Sequence, residues 1–249
     1  MTPAPRSDEP GIALGRAFES REAKRRYVRT LFSTIAHRYD LITVLLSYGQ
    51  DRKWKRRLVG MAPTARGIRA LDLACGTGDI AFALADRGAR VTGLDITHRM
   101  VQLAREKRAA AAFVTGDMMS LPFGPDQFDL VTTGYGIRNV PALVPALAEI
   151  HRVLKPGGLF LSLDFNRPAN PFIRAIYLGY LTLVGSALGY VLHRDSETYR
   201  YIPESIRHYP GAVRVSEMLR EQGFAPSEHV FVLGGLMAIH RASKPNRLL

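Results

Sequence analysis

Residues 70–79, ALDLACGTGD, end an apolar run on Asp72, turn through small residues and close on Asp79; Asp95 then ends the next apolar run, VTGLDIT. A buried strand, a tight loop and an acid closing the second strand form the layout of a nucleoside-cofactor crevice. Glycines at 76 and 78 let backbone approach a ligand closely, and Asp95 stands where a carboxylate accepts hydrogen bonds from a ribose diol. The loop lacks the Gly-x-Gly-x-x-Gly of a pyrophosphate site and the Gly-Lys-Ser/Thr of a triphosphate loop. Asp72 and Asp79 flank Gly76, Thr77 and Gly78, a charge pattern that repels phosphates and accommodates a cation. S-adenosyl-L-methionine, with its ammonium and sulfonium, fits that pattern, and a bare tight turn is the alternative.

Such a loop must be carried by a sheet. Strand patterns at 70–73, 90–94, 112–115, 128–133 and 159–164 alternate with helical patterns at 78–87, 98–109 and 141–154, the rhythm of a parallel sheet covered on both faces. A helix at 214–222 and strands at 229–232 and 236–240 close the chain. Ahead of the sheet, residues 21–60 read as a helical cap with a break at Gly49. Residues 165–210 read as a substrate lid. Within it, residues 175–192 carry no charge, which approaches the length of a membrane span. Gly179, Gly185 and Gly189 and the α/β setting favour an apolar helix covering the site mouth. Residues 1–20 read as a disordered lead-in without the apolar core of a secretory signal, leaving 21–249 as one domain.

The 249 residues carry 34 Lys and Arg against 22 Asp and Glu, a net charge of +12. Residues 1–60 hold 13 of those bases against 6 acids, so a basic face for an anionic surface is expected there. A solvated helix face accounts for it equally. Nucleic acid is not expected as a partner, since no nucleic-acid module accompanies the charge and the uncharged 175–192 stretch suits a lipid. The single Cys75 forms no internal disulfide and agrees with a reducing cytoplasm. No His, Cys and carboxylate cluster has metal-ligand spacing, so no metal is expected.

Five stretches carry a resemblance to a known family: LFSTIAHRYDLIT with GQDRKWKRRLV; ALDLACGTGDI; LPFGPDQFDLVTTGYGIRNV; EIHRVLKPGGLFLSLDFNRP; and SETYRYIPESI. The second and part of the fourth are general to methyltransferases, whereas the first, GIRNV and YRYIPESI are specific. Over residues 28–240 the chain resembles the ubiquinone and menaquinone biosynthesis C-methyltransferases, the UbiE/MenG family. The resemblance implies a class I S-adenosylmethionine-dependent methyltransferase fold, Rossmann-like, with a seven-stranded, mostly parallel sheet. It implies methyl transfer from S-adenosyl-L-methionine to a ring carbon of a prenylated quinol, and cofactor contacts at Thr77, Asp95, Asp117 and Met118. Gly134 departs from members that have a serine contact there. Residues 163–168, LDFNRP, and the lid are closer to menaquinone-type members, which favours demethylmenaquinol over a benzoquinol.

That chemistry gives roles to further residues. Losing a phenolic proton raises electron density at the ortho carbon. Arg138 is too basic to take that proton but stabilises a phenolate; alternatively it ties the crossover loop to a carboxylate. Tyr39 closes over the quinol or is a helix-core aromatic. Asp164 accepts a proton or caps a loop. His37 is a lesser candidate base. Asn139, Tyr199 and Tyr201 are expected at the substrate, with Glu204 and Ser205 beside the lid. The expected setting is cytoplasmic, peripheral at the inner face of the cell membrane, and a homodimer is left open.

Overall fold

The computed structural model describes residues 14–194 and 198–246. Helices α1 (Arg21–Ile35), α2 (Tyr39–Leu46) and α3 (Asp51–Gly60) form the cap. Ser20 starts α1 by accepting from the Ala23 amide at 3.1 Å, and Gly49, at φ +74°, makes the expected break between α2 and α3. Of the expected lead-in, residues 1–13 lie outside the described residues. The remainder is not without structure, because Leu14–Phe18 is a 3-10 turn. An apolar anchor fixes it: Ala17 is fully buried, and Phe18 stacks on His208 with ring centroids 4.2 Å apart.

The sheet comprises β1 (Arg69–Leu73), β2 (Arg90–Asp95), β3 (Ala112–Thr115), β4 (Phe128–Gly134), β5 (Leu154–Phe165), β6 (Glu228–Val232) and β7 (Met237–Ser243). Its order is β3-β2-β1-β4-β5-β7-β6, with only β7 antiparallel to its neighbours. Helices α4 (Asp79–Ala85), α5 (His98–Lys107), α6 (Leu143–Val153) and α9 (Ala212–Glu221) supply the crossovers. The chain steps outward from β1 through β3, then crosses back to place β4 on the other side of β1. Ligands in open α/β sheets bind at such a reversal, outside the carboxyl ends of the strands. Here the loop after β1 and the turn after β4 face each other.

Between β5 and α9 lies the lid, α7 (Pro171–His193) and α8 (Tyr201–His208). Asn170 caps α7 through Oδ1, accepting from the Phe172 and Ile173 amides, with Pro171 in the first turn, where a missing N–H costs nothing. One face of α7, with Tyr177, Leu178 and Leu181, packs with Ile206 of α8. The seven-stranded, mostly parallel sheet with cap and lid agrees with the arrangement read from the sequence.

Behind the site, His240 of β7 is 1 % exposed. Its Nε2 donates to the Ala212 carbonyl at 3.0 Å, which leaves Nδ1 to accept from Ser162 Oγ. Burial pushes its pKa down to about 4 from 6.5. The unfolded chain therefore binds more protons between those values, and His240 costs stability as pH falls through that window. The limit is about 3 kcal/mol. Buried Asp72, raised to about 7, works with the opposite sign. The expected outcome is that the stability advantage of wild type over His240→Gln, read from urea unfolding, shrinks between pH 6.5 and 4. A constant difference across that range would overturn the assignment.

Candidate active site

Two cavities meet at the carboxyl edge of the sheet. The first, about 70 Å³, is bordered by Gly76 of the β1 loop, Asp95 and Ile96 after β2, Asp117 and Met118 after β3, and Gly134, Gly136 and Asn139 after β4. Asp95 is held rigidly, Oδ2 accepting from the Gly76 amide at 2.9 Å and Oδ1 from the Thr97 amide at 2.8 Å. Burial raises its pKa, and these two N–H donors oppose the rise. A carboxylate has about four acceptor sites, so Asp95 retains capacity for a diol. Asn139 Oδ1 is buried without a hydrogen-bond partner among the described residues. A Cβ on Gly134 would lie 2.6 Å from Ile80 Cδ1, so a serine there needs Ile80 to move. The acids, the orphaned amide oxygen and the glycine-lined wall fit a nucleoside cofactor. Helix α1 roofs the cavity through Arg25, Val28 and Phe32, and Arg25 pairs with Asp117 at 3.1 Å.

The second cavity, about 230 Å³, lies beneath α7 and is lined mostly by apolar and aromatic residues, including Ile42, Leu46, Trp54, Tyr177, Tyr199, Tyr201 and Leu236. It shares Phe32, Tyr39 and Tyr135 with the first cavity. Arg138 is the cation on its wall. The guanidinium Nη1 donates to Asp164 Oδ1 at 2.6 Å and to the Tyr135 carbonyl at 2.9 Å, while Nε donates to Ser205 Oγ at 3.3 Å. Its plane lies over Phe165 at 4.8 Å. Burial opposes the charge, but Asp164 outweighs it and raises the Arg138 pKa.

Several sequence expectations are corrected by this geometry. Asp72 borders neither cavity; it lies inside the sheet, accepting from Thr132 Oγ1 at 2.8 Å, and burial pushes its pKa up to about 7. Asp79 faces away and is neutralised by Lys55 and Lys107 at 3.0 and 2.8 Å. The acids that border the cofactor cavity are Asp95 and Asp117, so charge selection moves from the loop to the ends of β2 and β3. Thr77 borders neither cavity, and its hydroxyl donates to Asp40 Oδ1 at 2.6 Å. Gly78 also lies behind the site. At φ +90°, with a Cβ position 2.8 Å from Phe82 Cε2, it is glycine for backbone and packing reasons. Asn139 borders the cofactor cavity rather than the substrate cavity. Asp164 borders neither and is bonded to Arg138 and the Phe165 amide, so its carboxylate faces the arginine and the loop, not a cavity. Arg138 is tied to the Asp164 carboxylate and also borders the second cavity. His37 stands outside, accepting from Arg99.

Gly76, Asp95, Asp117 and Met118 come together on the first cavity, Tyr199, Tyr201 and Arg138 on the second, and Tyr39 on both. Sequence reading missed Tyr135. The available signal was an aromatic between two glycines just after a strand, and its backbone is left-handed, φ +60°, a strained state for a bulky residue that clusters at functional sites. It also missed Lys24, whose ammonium donates to the carbonyls of Arg138 and Val140 at 3.0 and 2.7 Å. Burial, then the charge of Arg138, lowers the Lys24 pKa to about 8.

The chain is similar to known proteins over nearly its whole length. It is 40 % identical to the ubiquinone/menaquinone biosynthesis C-methyltransferase UbiE of Methylobacterium nodulans, covering 96 % of this chain and 98 % of that one. It is 34 % identical to the demethylmenaquinone methyltransferase of Staphylococcus epidermidis, covering 90 % and 96 %. A SAM-dependent methyltransferase from Thermotoga maritima shares the fold, with a TM-score of 0.65 at 17 % identity over 87 % of this chain and 99 % of that one. A methyltransferase from Haloferax volcanii, solved with its activator Trm112, superposes with a TM-score of 0.62 at 21 % identity, over 86 % and 98 %. The ubiE/COQ5 methyltransferase family model matches residues 20–244. By sequence over that span, and by a fold that brings a nucleoside-type crevice against an apolar cavity, this chain belongs to the ubiE/COQ5 methyltransferase family.

Proposed function

We propose that this protein transfers a methyl group to a ring carbon of a polyprenylated demethylquinol, with demethylmenaquinol the favoured substrate. The observation that carries the reading is the junction of the two cavities, where a crevice edged by Asp95, Asp117 and Asn139 shares Phe32, Tyr39 and Tyr135 with an apolar cavity that has Arg138 on its wall. S-adenosyl-L-methionine supplies the methyl as a sulfonium electrophile when bound. Asp95 would hold its ribose, Asp117 and Met118 its adenine, and the Gly76 backbone and Asn139 Oδ1 are placed for its polar groups. Loading the crevice requires the Arg25–Asp117 bridge to open.

The chain's own residues then align and activate the quinol. The aromatic walls orient the ring and exclude water, which turns a bimolecular step into an effectively unimolecular one. Arg138 stabilises negative charge on the phenolic oxygen in a dry site, where such an interaction is stronger than in water. Asp164 and Ser205 fix its fork. The isoprenoid tail leaves past Leu46, Tyr180 and Leu233.

That exit meets an apolar surface. On α7, Phe172, Ile173, Ile176, Tyr180, Leu183, Tyr190 and Val191 are 40–73 % exposed. At about 100° per residue they fall within roughly one quarter of the helix circumference. Leu41 and Leu45 of α2 and Tyr48 in the turn after it are also exposed, and the hydroxyls of Tyr48 and Tyr180 hydrogen bond across the mouth. Pro171–Val191 is long and apolar enough to cross a membrane, with mean hydropathy 1.4, yet its inner face packs on α8. It lies in the interface with its outer face in lipid, which lets a tail move from bilayer to cavity without crossing water. Part of the cap's positive charge is used within the protein. Lys24, Arg25 and Lys55 are committed to internal partners, and docking rests chiefly on apolar area.

Three outcomes are expected. Purified protein with S-adenosyl-L-methionine methylates a short-chain demethylmenaquinol faster than the matching benzoquinol, read by mass spectrometry; no carbon methylation of either would end the proposal. Arg138→Lys, which keeps the charge and loses the fork, lowers kcat by about a hundredfold, with S-adenosylhomocysteine affinity unchanged by calorimetry. Phe172→Asp with Leu183→Asp leaves turnover of a water-soluble quinol intact and abolishes co-sedimentation with liposomes, whereas retained binding would remove α7 from the docking surface.

A further inference from the structure

Beside the shared wall of the two cavities lies a buried polar chain that the reaction as described leaves unused. Tyr135 Oη donates to Asp51 Oδ1 at 2.8 Å. Asp51 is 3 % exposed and starts α3, its amide donating to Ser47 Oγ. Lys55, one turn along α3, pairs with Asp51 Oδ2 at 2.8 Å and with Asp79 Oδ2 at 3.0 Å. Lys107 pairs with the other oxygen of Asp79 at 2.8 Å and with Asp40 at 3.0 Å. Side-chain exposure climbs along the series: 4 % at Asp51, 12 % at Lys55, 37 % at Asp79 and 40 % at Lys107. The contacts form an unbroken path from the junction to solvent. Other titratable groups feel this chain: burial raises the Tyr39 pKa, with Lys55 opposing and Asp51 adding to the rise, Asp164 acts on Tyr135, and Lys55 acts on Asp72.

Burying a carboxylate against a tyrosine hydroxyl is costly, and it is sustained here by Lys55 and by the first turn of α3. An apolar residue at 51 facing a phenylalanine at 135 would satisfy the same space. Ring methylation, in contrast, needs a destination for one proton. A free phenol holds its proton by about three pK units at neutral pH. Arg138 cannot accept that proton, and Asp164 is occupied by Arg138.

We propose that Tyr135 and Asp51 accept the proton that the quinol releases, Tyr135 touching the substrate as the catalytic residue and Asp51 acting through it. This rests on the quinol reading above. The phenolic proton moves to Tyr135 Oη as the tyrosine's own proton moves to Asp51 Oδ1. The electron pair freed at the phenolic oxygen passes through the ring to the carbon that bonds the methyl group, and the methyl–sulfur bond breaks with its pair remaining on sulfur. The methylated carbon then gives up its hydrogen as a proton to the ring oxygen, restoring aromaticity. One proton is left on Asp51, which equals the one released overall. Burial keeps the Tyr135 pKa well above the usual phenol range, and Asp51 adds to the rise, so Tyr135 passes a proton on without standing as a tyrosinate. Burial disfavours charge on Lys55, but Tyr39, Asp79 and Asp51 outweigh it and raise its pKa. Lys55 thus stays cationic and holds its charge against Asp51 Oδ2.

The test is Asp51→Asn, which preserves shape and an acceptor for Tyr135 but takes no proton. The expected result is a fall in kcat of about a hundredfold to ten-thousandfold, with KM for the quinol, calorimetric affinity for S-adenosylhomocysteine and melting temperature near wild type. In the variant, log kcat rises with unit slope up to high pH, as solvent hydroxide replaces the lost acceptor. Tyr135→Phe and the double variant fall to the same level and no further, and Asp51→Glu recovers part of the rate; these also serve if Asp51→Asn folds poorly. A variant turning over within threefold of wild type with an unchanged pH profile overturns the relay while leaving the quinol reading intact. Wild type that methylates no demethylquinol overturns both.

Discussion

The ion pair between Arg138 and Asp164 is the contact on which the site depends. Both side chains are almost fully buried, so removing either would strand a charge at a cost of about 3–5 kcal/mol. Asp164 lies at the end of β5, and Arg138 lies in the turn after β4. Ser205 of α8 bonds the arginine's Nε, and Lys24 of α1 bonds its backbone carbonyl. Sheet, turn, lid and cap therefore converge on one guanidinium. Its fork is fixed in three directions, and the remaining edge faces the apolar cavity. The energy spent burying this charge is offset by its partners, and the return is a cation that needs no reorganisation when a phenolate forms.

Much of this was legible in the sequence, for reasons that can be named. Strand patterns and acids at strand ends are local signals, so Asp95 and the alternation of strands and helices around it followed from spacing. The GIRNV and YRYIPESI segments pointed to Arg138, Tyr199 and Tyr201 because their types and order are specific. Less legible was which acid looks where. Asp72 and Asp79 flank the glycine loop in sequence, but strand alternation turns Asp72 into the sheet and the first turn of α4 turns Asp79 outward to Lys55 and Lys107. Their sequence neighbours Gly76 and Asp95 reach the cavity, and they do not.

Side chains whose partners lie far along the chain were invisible. Lys24 and Arg25 read as surface charge on an amphipathic helix, because their acceptors at 138, 140 and 117 are about a hundred residues away. Asp51 read as one acid in a basic run. Its meaning depends on Tyr135, 84 positions later, and on the left-handed backbone that aims that ring. Composition misleads in the same way: part of the cap's positive charge binds the cap to the sheet instead of being presented to a surface.

The two cavities touch only through Phe32, Tyr39 and Tyr135, one roofed by α1 and the other lying beneath α7. On the proposed function, the spent sulfide and the methylated quinol therefore occupy separate chambers. Neither product has to cross the other's chamber, so a water-soluble ligand and an apolar one need share nothing but three aromatic side chains.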